Sequence, residues 1–205
     1  TDDAAVVAAG TCQVEAWVQS PHDGREYWAQ PACNFTGNLE LAIGAARAVA
    51  DDGERSATVQ LQAKSVLFAS ADKAWSFGVV GGAARDTGAP HGRSAFQTYF
   101  GKALASWYPR DDVEMDFDLG AANGYGTGVF ALASAAIQYA VVSNVQLMAE
   151  AFRDEPGRAK YQVGVRWTVV PDRLDAYVSY GNRFGNASSQ WTIVGIRLQS
   201  PRLLP

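Results

Sequence analysis

Apolar and polar side chains trade places at every second position through most of this chain. A backbone patterned at period two suits both kinds of side chain only as a strand between two different environments. The pattern is clearest from Ala159 to Val169, where Ala159, Tyr161, Val163, Val165, Trp167 and Val169 share one face and Lys160, Gln162, Gly164, Arg166 and Thr168 the other. The segment before it repeats the pattern, with Val145, Leu147, Ala149 and Ala151 opposed to Gln146, Met148, Glu150 and Phe152. Between the two lies Asp154-Glu155-Pro156-Gly157-Arg158, a run of turn-forming residues. Folding the pair about that run sets Leu147 opposite Val165, Ala149 opposite Val163, Glu150 opposite Gln162 and Gln146 opposite Arg166. Apolar meets apolar and polar meets polar. A slip of one residue destroys the match, so the pattern itself specifies the register.

The same construction about Pro21-His22-Asp23-Gly24 sets Trp17 opposite Trp28, Glu15 opposite Gln30 and Cys12 opposite Cys33. This register is reached without reference to the cysteines. Directly opposed positions have Cα atoms about 4.5–5.5 Å apart, within bridging range. A Cys12–Cys33 disulfide is therefore predicted, and an oxidising periplasm would preserve it.

Continuing along the chain, strands are predicted near 11–19, 26–35, 37–48, 56–68, 73–85, 94–107, 112–121, 128–141, 143–153, 159–169, 173–182 and 189–199. About twelve is an even number, as single-chain bacterial barrels require. Tight turns at Phe35–Asn38, Ala69–Asp72, Tyr108–Asp112, Val142–Asn144 and Val170–Arg173 alternate with longer loops at Arg85–Arg93, Ala122–Thr127 and Asn182–Ser188. The fold expected is all-β: a single antiparallel up-and-down transmembrane β-barrel with short periplasmic turns, longer extracellular loops and both termini periplasmic. No Pro/Ser-rich linker divides the chain, so one domain is expected over 1–205. Phe68, Trp75, Trp107 and Tyr108 beside the turns, and Tyr27, Trp28, Tyr161 and Trp191 nearer the loops, are candidates for two interfacial aromatic girdles.

A water-soluble barrel or sandwich also alternates, but it buries its apolar face. That face is rich in Ala and Gly here, poor material for an interlocking core and acceptable against lipid. The least polar window, Gly128 to Val142, is too short for a lipid-spanning helix and carries Ser134 and Gln138. The chain opens at Thr1 with no signal-peptide pattern, so a mature chain after signal-peptide removal is expected, resident in the bacterial outer membrane.

The opening Thr1-Asp2-Asp3-Ala4, the run Gly10-Thr11-Cys12-Gln13-Val14-Glu15-Ala16 and then Gly37-Asn38-Leu39-Glu40-Leu41 resemble the start of a family of proteobacterial outer-membrane β-barrels described as phenol meta-pathway or transporter-like proteins. Val178-Ser179-Tyr180-Gly181 and the closing Arg197-Leu198-Gln199 are similar in style. The resemblance implies a barrel and passage of hydrophobic or aromatic compounds, without catalysis. Barrels of this kind commonly end in an aromatic residue, whereas this chain continues to Ser200-Pro201-Arg202-Leu203-Leu204-Pro205.

Candidate chemistry is sparse. The two histidines, His22 and His91, fall in predicted loops, and His91-Gly92-Arg93-Ser94 invites a lipid-hydrolase reading without a third residue to orient the ring. Two His and two paired Cys supply no zinc spacing, so no metal and no cofactor is expected. Glu114, Asp116 and Asp118 share one strand face and are expected to line a hydrated lumen, pairing with Lys102 or another interior base. Asn34-Phe35-Thr36 and Asn186-Ala187-Ser188 are sequons read as incidental. The 17 Lys+Arg are scattered and the net charge is −4, which argues against nucleic acid as a partner.

The expected lumen lining is Glu15, Glu40, Gln62, Lys64, Lys102, Glu114, Asp116, Glu150, Arg166 and Asp175, with Gly44, Gly78, Gly82 and Gly164 leaving a narrow wet path or closing by salt bridges. A passive conduit for small solutes is the leading expectation, with outer-membrane lipid around it. An accessory subunit holding a protein partner is the rival, and a barrel-type lipid hydrolase comes third.

Overall fold

The computed structural model describes residues 1–72, 74–87, 96–124 and 128–203, with the side chains of 186 and 187 excepted. Twelve strands follow one another: β1 Cys12–Pro21, β2 Gly24–Asn34, β3 Leu39–Ala50, β4 Arg55–Ala69, β5 Trp75–Asp86, β6 Thr98–Arg110, β7 Val113–Gly124, β8 Gly128–Val142, β9 Val145–Arg153, β10 Lys160–Val170, β11 Leu174–Arg183 and β12 Asn186–Gln199. Each pairs antiparallel with its neighbours in sequence, and β12 returns to β1 to close the barrel. Closure leaves no strand edge with unpaired backbone groups, the condition for spanning lipid with strands.

The registers follow the side-chain pattern. Leu147 pairs with Val165 and Glu150 with Gln162, while Trp17 pairs with Trp28 and Cys12 with Cys33. Cys12 and Cys33 form a disulfide with their Cα atoms 4.1 Å apart.

Two connections depart from expectation, both at the end away from the termini. Only 184–185 join β11 to β12, where a loop over Asn182–Ser188 was expected, and β7 runs on to Gly124 through the expected Ala122–Thr127 loop. Cross-strand pairing of Arg183 with Asn186 continues the ladder, so hydrogen bonding recruits polar residues that composition assigns to a loop. At the other end, Pro171-Asp172-Arg173 turns with Asp172 at φ 58°, a conformation Asp tolerates better than most residues.

Burial is inside-out. Leu119, Val129, Val163, Val178 and Val194 lie exposed on the outer surface, while Glu40, Lys64, Asp116, Asp118 and Asp175 are each at most 9% exposed. Apolar side chains outside and ionised ones inside is the arrangement of a barrel in lipid and the reverse of a soluble one.

Trp75 stacks on Trp107 and Phe77 on this outer surface, near the turns. Trp28, Tyr108 and Trp191 do not join a girdle. Trp28 stacks on Trp17 inside the lumen with ring centroids 5.3 Å apart, Tyr108 donates to Glu114, and Trp191 packs edge-on to Phe152. The cause is parity: Trp28 shares a face with Gln30, Tyr108 with Ser106 and Trp191 with Arg197, so period two turns all three inward.

Candidate functional site

Residues 1–10 enter the lumen from the end where the termini lie and run along the inner wall of β2 to β7, with Thr1 reaching across to Glu150 on β9. The walls fix this strap through its backbone. Val7 N–H donates to Glu40 Oε2 at 2.9 Å, Val7 C=O accepts from Asn34 Nδ2 at 2.7 Å, and Ala4 N–H donates to Ser106 Oγ at 2.8 Å. Gly10 N–H donates to the Asn34 carbonyl at 2.9 Å, holding the strap where it meets the wall. Charge holds the strap's far end: Lys64 donates to Asp3 at 2.9 Å, and Lys102 pairs with Asp2 as well as with Asp118. Ala4 is buried between Val80 and Leu104 with Phe100 against them, so a small apolar seat completes the fit.

The opposite side of the lumen is open. A cavity of about 1010 Å³ is lined mainly by β8 to β12 and β1. Its lining runs from Ser143, Asn144 and Pro171 to Arg173 in the turns at the terminal end to Gln19, Asp154 and Lys160 at the other end. Eight Asp or Glu residues line it against four Lys or Arg. Much of that charge is held in place by neighbours: Arg197 Nε meets Asp175 Oδ2 at 3.0 Å, Thr168 donates to Asp175 at 2.9 Å, Arg166 donates to Gln138 at 3.0 Å, and Gln162 donates to Glu150 at 2.9 Å. The rings of Trp17, Phe152, Tyr177 and Trp191 border the same space.

The residues singled out from the sequence fall in two groups. Glu15, Glu114, Asp116, Glu150, Arg166 and Asp175 border the cavity, and Glu150 also pairs with Thr1 at the tip of the strap. Glu40, Lys64 and Lys102 instead meet the strap, and Gln62 accepts from Gln60 on β4 at 3.0 Å. Of the three carboxylates on β7, Asp118 alone pairs with Lys102. Glu114 accepts from Tyr108, and Asp116 accepts from Ser106 at 2.5 Å.

Three of the four inward glycines do not leave the expected path, because rings and chain cover them. A Cβ on Gly44 would meet the Trp28 ring at 3.4 Å, one on Gly82 would meet the Phe100 ring, and one on Gly78 would lie 3.8 Å from Ala4 Cα in the strap. A large ring lying over a glycine on the next strand fills the space that the missing side chain leaves. Gly164 alone of the four borders the cavity.

Asn34, incidental as a sequon residue, anchors the strap. It is fully buried: its Nδ2 donates to the Val7 carbonyl, and its Oδ1 accepts from the backbone N–H of Thr36 and Gly37. The Asn-x-Thr-Gly run at a strand end, with its tendency to turn back on its own backbone, was the available signal. His22 is exposed in the β1–β2 turn, whereas His91, Arg93 and Ser94 lie outside the described residues.

The whole of this architecture, strap included, falls within a single family match over residues 1–200. The chain belongs to the family described as uncharacterised conserved protein UCP029691. That description names no phenol pathway. No curated protein matches the UCP029691 chain in sequence. Its fold is similar to that of the KdgM porin solved in complex with disordered oligogalacturonate, at TM-score 0.70 and 11% identity over 91% of this chain and 98% of that one. The NanC porin gives 0.66 and 9% over 91% and 98%, and the Acinetobacter baumannii outer membrane protein Omp33 gives 0.58 and 10% over 93% and 99%. These likenesses establish the fold of the UCP029691 chain as that of a twelve-stranded outer-membrane barrel.

Proposed function

We propose that this chain is a passive outer-membrane channel or binding conduit for small solutes, selective for cations and without catalytic activity. The observation that carries the reading is the cavity whose lining reaches from the turns at one end of the barrel to the strand ends at the other. A barrel of twelve strands lies between the filled interior of eight and the aqueous channel of sixteen, so its inward side chains decide what passes.

Here those side chains are acidic by two to one. Carboxylates on a low-dielectric wall raise the local concentration of cations and repel anions. Trp17, Phe152, Tyr177 and Trp191 add aromatic faces that attract cations and cover apolar groups, which supports solutes with an aromatic or hydrophobic body. Likeness to the porins supports the conduit and leaves the solute to be read from this wall.

Reconstitution into a planar bilayer should give discrete conductance steps, with a reversal potential in a KCl gradient on the cation side. Replacing Glu15 and Glu114 together by Lys should move that potential towards anions, because both are only partly buried and border the cavity. A silent bilayer from correctly inserted protein, together with a stoichiometric co-purifying protein, would replace this reading by that of an accessory subunit.

A further inference from the structure

We propose that the inner wall of β2 to β7 is a binding site for an extended acidic peptide segment, that residues 2–10 of this chain are its resident ligand, and that their release opens the second half of the lumen. The inference rests on the conduit reading above and adds a gate to it.

Three independent features mark a built site. First, backbone groups of the strap are met by side chains that are themselves buried: Ser106, Glu40 and Asn34 are 0%, 4% and 0% exposed. A polar side chain buried in a barrel wall needs a partner, and the strap's amides and carbonyl supply it. Second, the adjacent carboxylates of Asp2 and Asp3 reach two different strands, Lys102 on β6 and Lys64 on β4. Third, the seat for Ala4 is apolar, formed by Val80 and Leu104, a surface that water would wet poorly if the strap left nothing in its place. Backbone recognition with a few side-chain pockets is how extended peptides are held generally.

The strap joins the barrel wall at Cys12, where β1 begins. Its exit needs no strand to break. Beyond the backbone bonds at Gly10, to Asn34 and Leu203, the contacts to be broken are a handful of side-chain hydrogen bonds, three ion pairs (Thr1 with Glu150, Asp2 with Lys102 and Asp3 with Lys64) and the seat of Ala4. The cavity is lined mainly by β8 to β12 and β1, so clearing the wall of the other six strands should about double the open cross-section.

The test compares three full barrels in a planar bilayer: wild type, a deletion of residues 1–10, and Asp2→Lys/Asp3→Lys, which sets like charges against Lys102 and Lys64 and leaves the barrel wall untouched. The deletion should raise unitary conductance about twofold, and the charge-reversed chain should switch between the wild-type level and the wider one. Adding a synthetic peptide of residues 1–10 should return the deleted barrel to the wild-type level, and the same peptide with both aspartates replaced by Lys should not. If the deleted barrel fails to insert, the charge-reversed chain decides alone. Wild type and variants conducting at one identical level would overturn the gate and leave the conduit standing. Silence from all three, correctly inserted, would overturn both.

Discussion

The two halves of the inner wall are written in the same alternating code and yet receive different things. Along β2 to β7 the small or apolar inward residues Ala32, Ala42, Ala46, Val80, Leu104 and Ala122 are buried, and so are polar ones such as Asn34, Glu40, Lys64 and Ser106, whose partners lie in the strap. Along β8 to β12 and β1 they include Gln138, Gln146, Glu150, Gln162, Arg166, Asp175 and Arg197, which border water-accessible space. Alternation decides which face of a strand looks inward, and the identity of the inward residues decides whether the interior is dry or wet. The first half is a groove that needs a cover, and residues 1–10 provide it. The second half hydrates itself.

Matched substitutions test that contrast most strongly through volume. Ala42 is 4% exposed on the covered wall, whereas Ala136 borders the cavity. Ala42→Trp should cost about 3 kcal/mol through overpacking, or expel the strap. Ala136→Trp should cost little stability and should lower unitary conductance, since its ring has the cavity to occupy. Unfolding in urea from lipid vesicles measures the first quantity and single-channel recording the second. Equal stability losses would mean that the halves do not differ in packing.

Hydrogen bonding sharpens the same contrast at a smaller scale. Asn34→Ala removes three bonds from a fully buried side chain and leaves the Val7 carbonyl without its donor, a loss of about 2 kcal/mol. Gln162→Ala removes a bond to Glu150 beside the open cavity, where water takes over the vacated acceptor, and should change stability by less than about 0.5 kcal/mol. The temperature at which each barrel loses its folded mobility in SDS gels ranks the two. A Gln162 variant as weak as the Asn34 variant would show the open wall to be dry as well.

Most of the barrel was legible because lipid on one side and polar groups on the other force strict alternation. The first hairpin's register could be set from Trp17, Glu15 and the Pro21–Gly24 turn alone, and the disulfide followed from it. Face assignments failed where an aromatic residue was placed by its closeness to a strand end instead of by parity. Trp28, Tyr108 and Trp191 could each have been turned inward by counting twos from Gln30, Ser106 and Arg197. The strap was not legible as a strap, since Thr1-Asp2-Asp3-Ala4-Ala5-Val6-Val7 carries no turn or pairing signal of its own. Its trace lay elsewhere: Ala42, Gly44, Ala46, Gly78, Val80 and Gly82 make an inward surface too apolar and too small to face water unaided. The shortness of the β11–β12 connection stayed hidden because the polar, turn-like run from Asn182 to Ser188 carries no alternation to mark the pairing of Arg183 with Asn186.

The smallest expected effect separates the halves by salt. Charges bordering the cavity act on a passing ion through water, and their reach falls from about 10 Å in 0.1 M salt to about 3 Å at 1 M. The ion pairs of the strap are contacts between partly desolvated groups, with the Lys64 and Lys102 side chains 11% and 17% exposed, and salt screens such pairs much less. Raising the mean KCl concentration at a fixed concentration ratio should therefore bring the reversal potential towards zero. In the same records the charge-reversed strap should spend far more time than wild type at the wider level, and the wild-type strap should stay seated at both concentrations. If salt instead drove the wild-type barrel to the wider level in step with the loss of selectivity, the strap and the cavity would share one solvated field, and the division of the wall into a dry half and a wet half would fail.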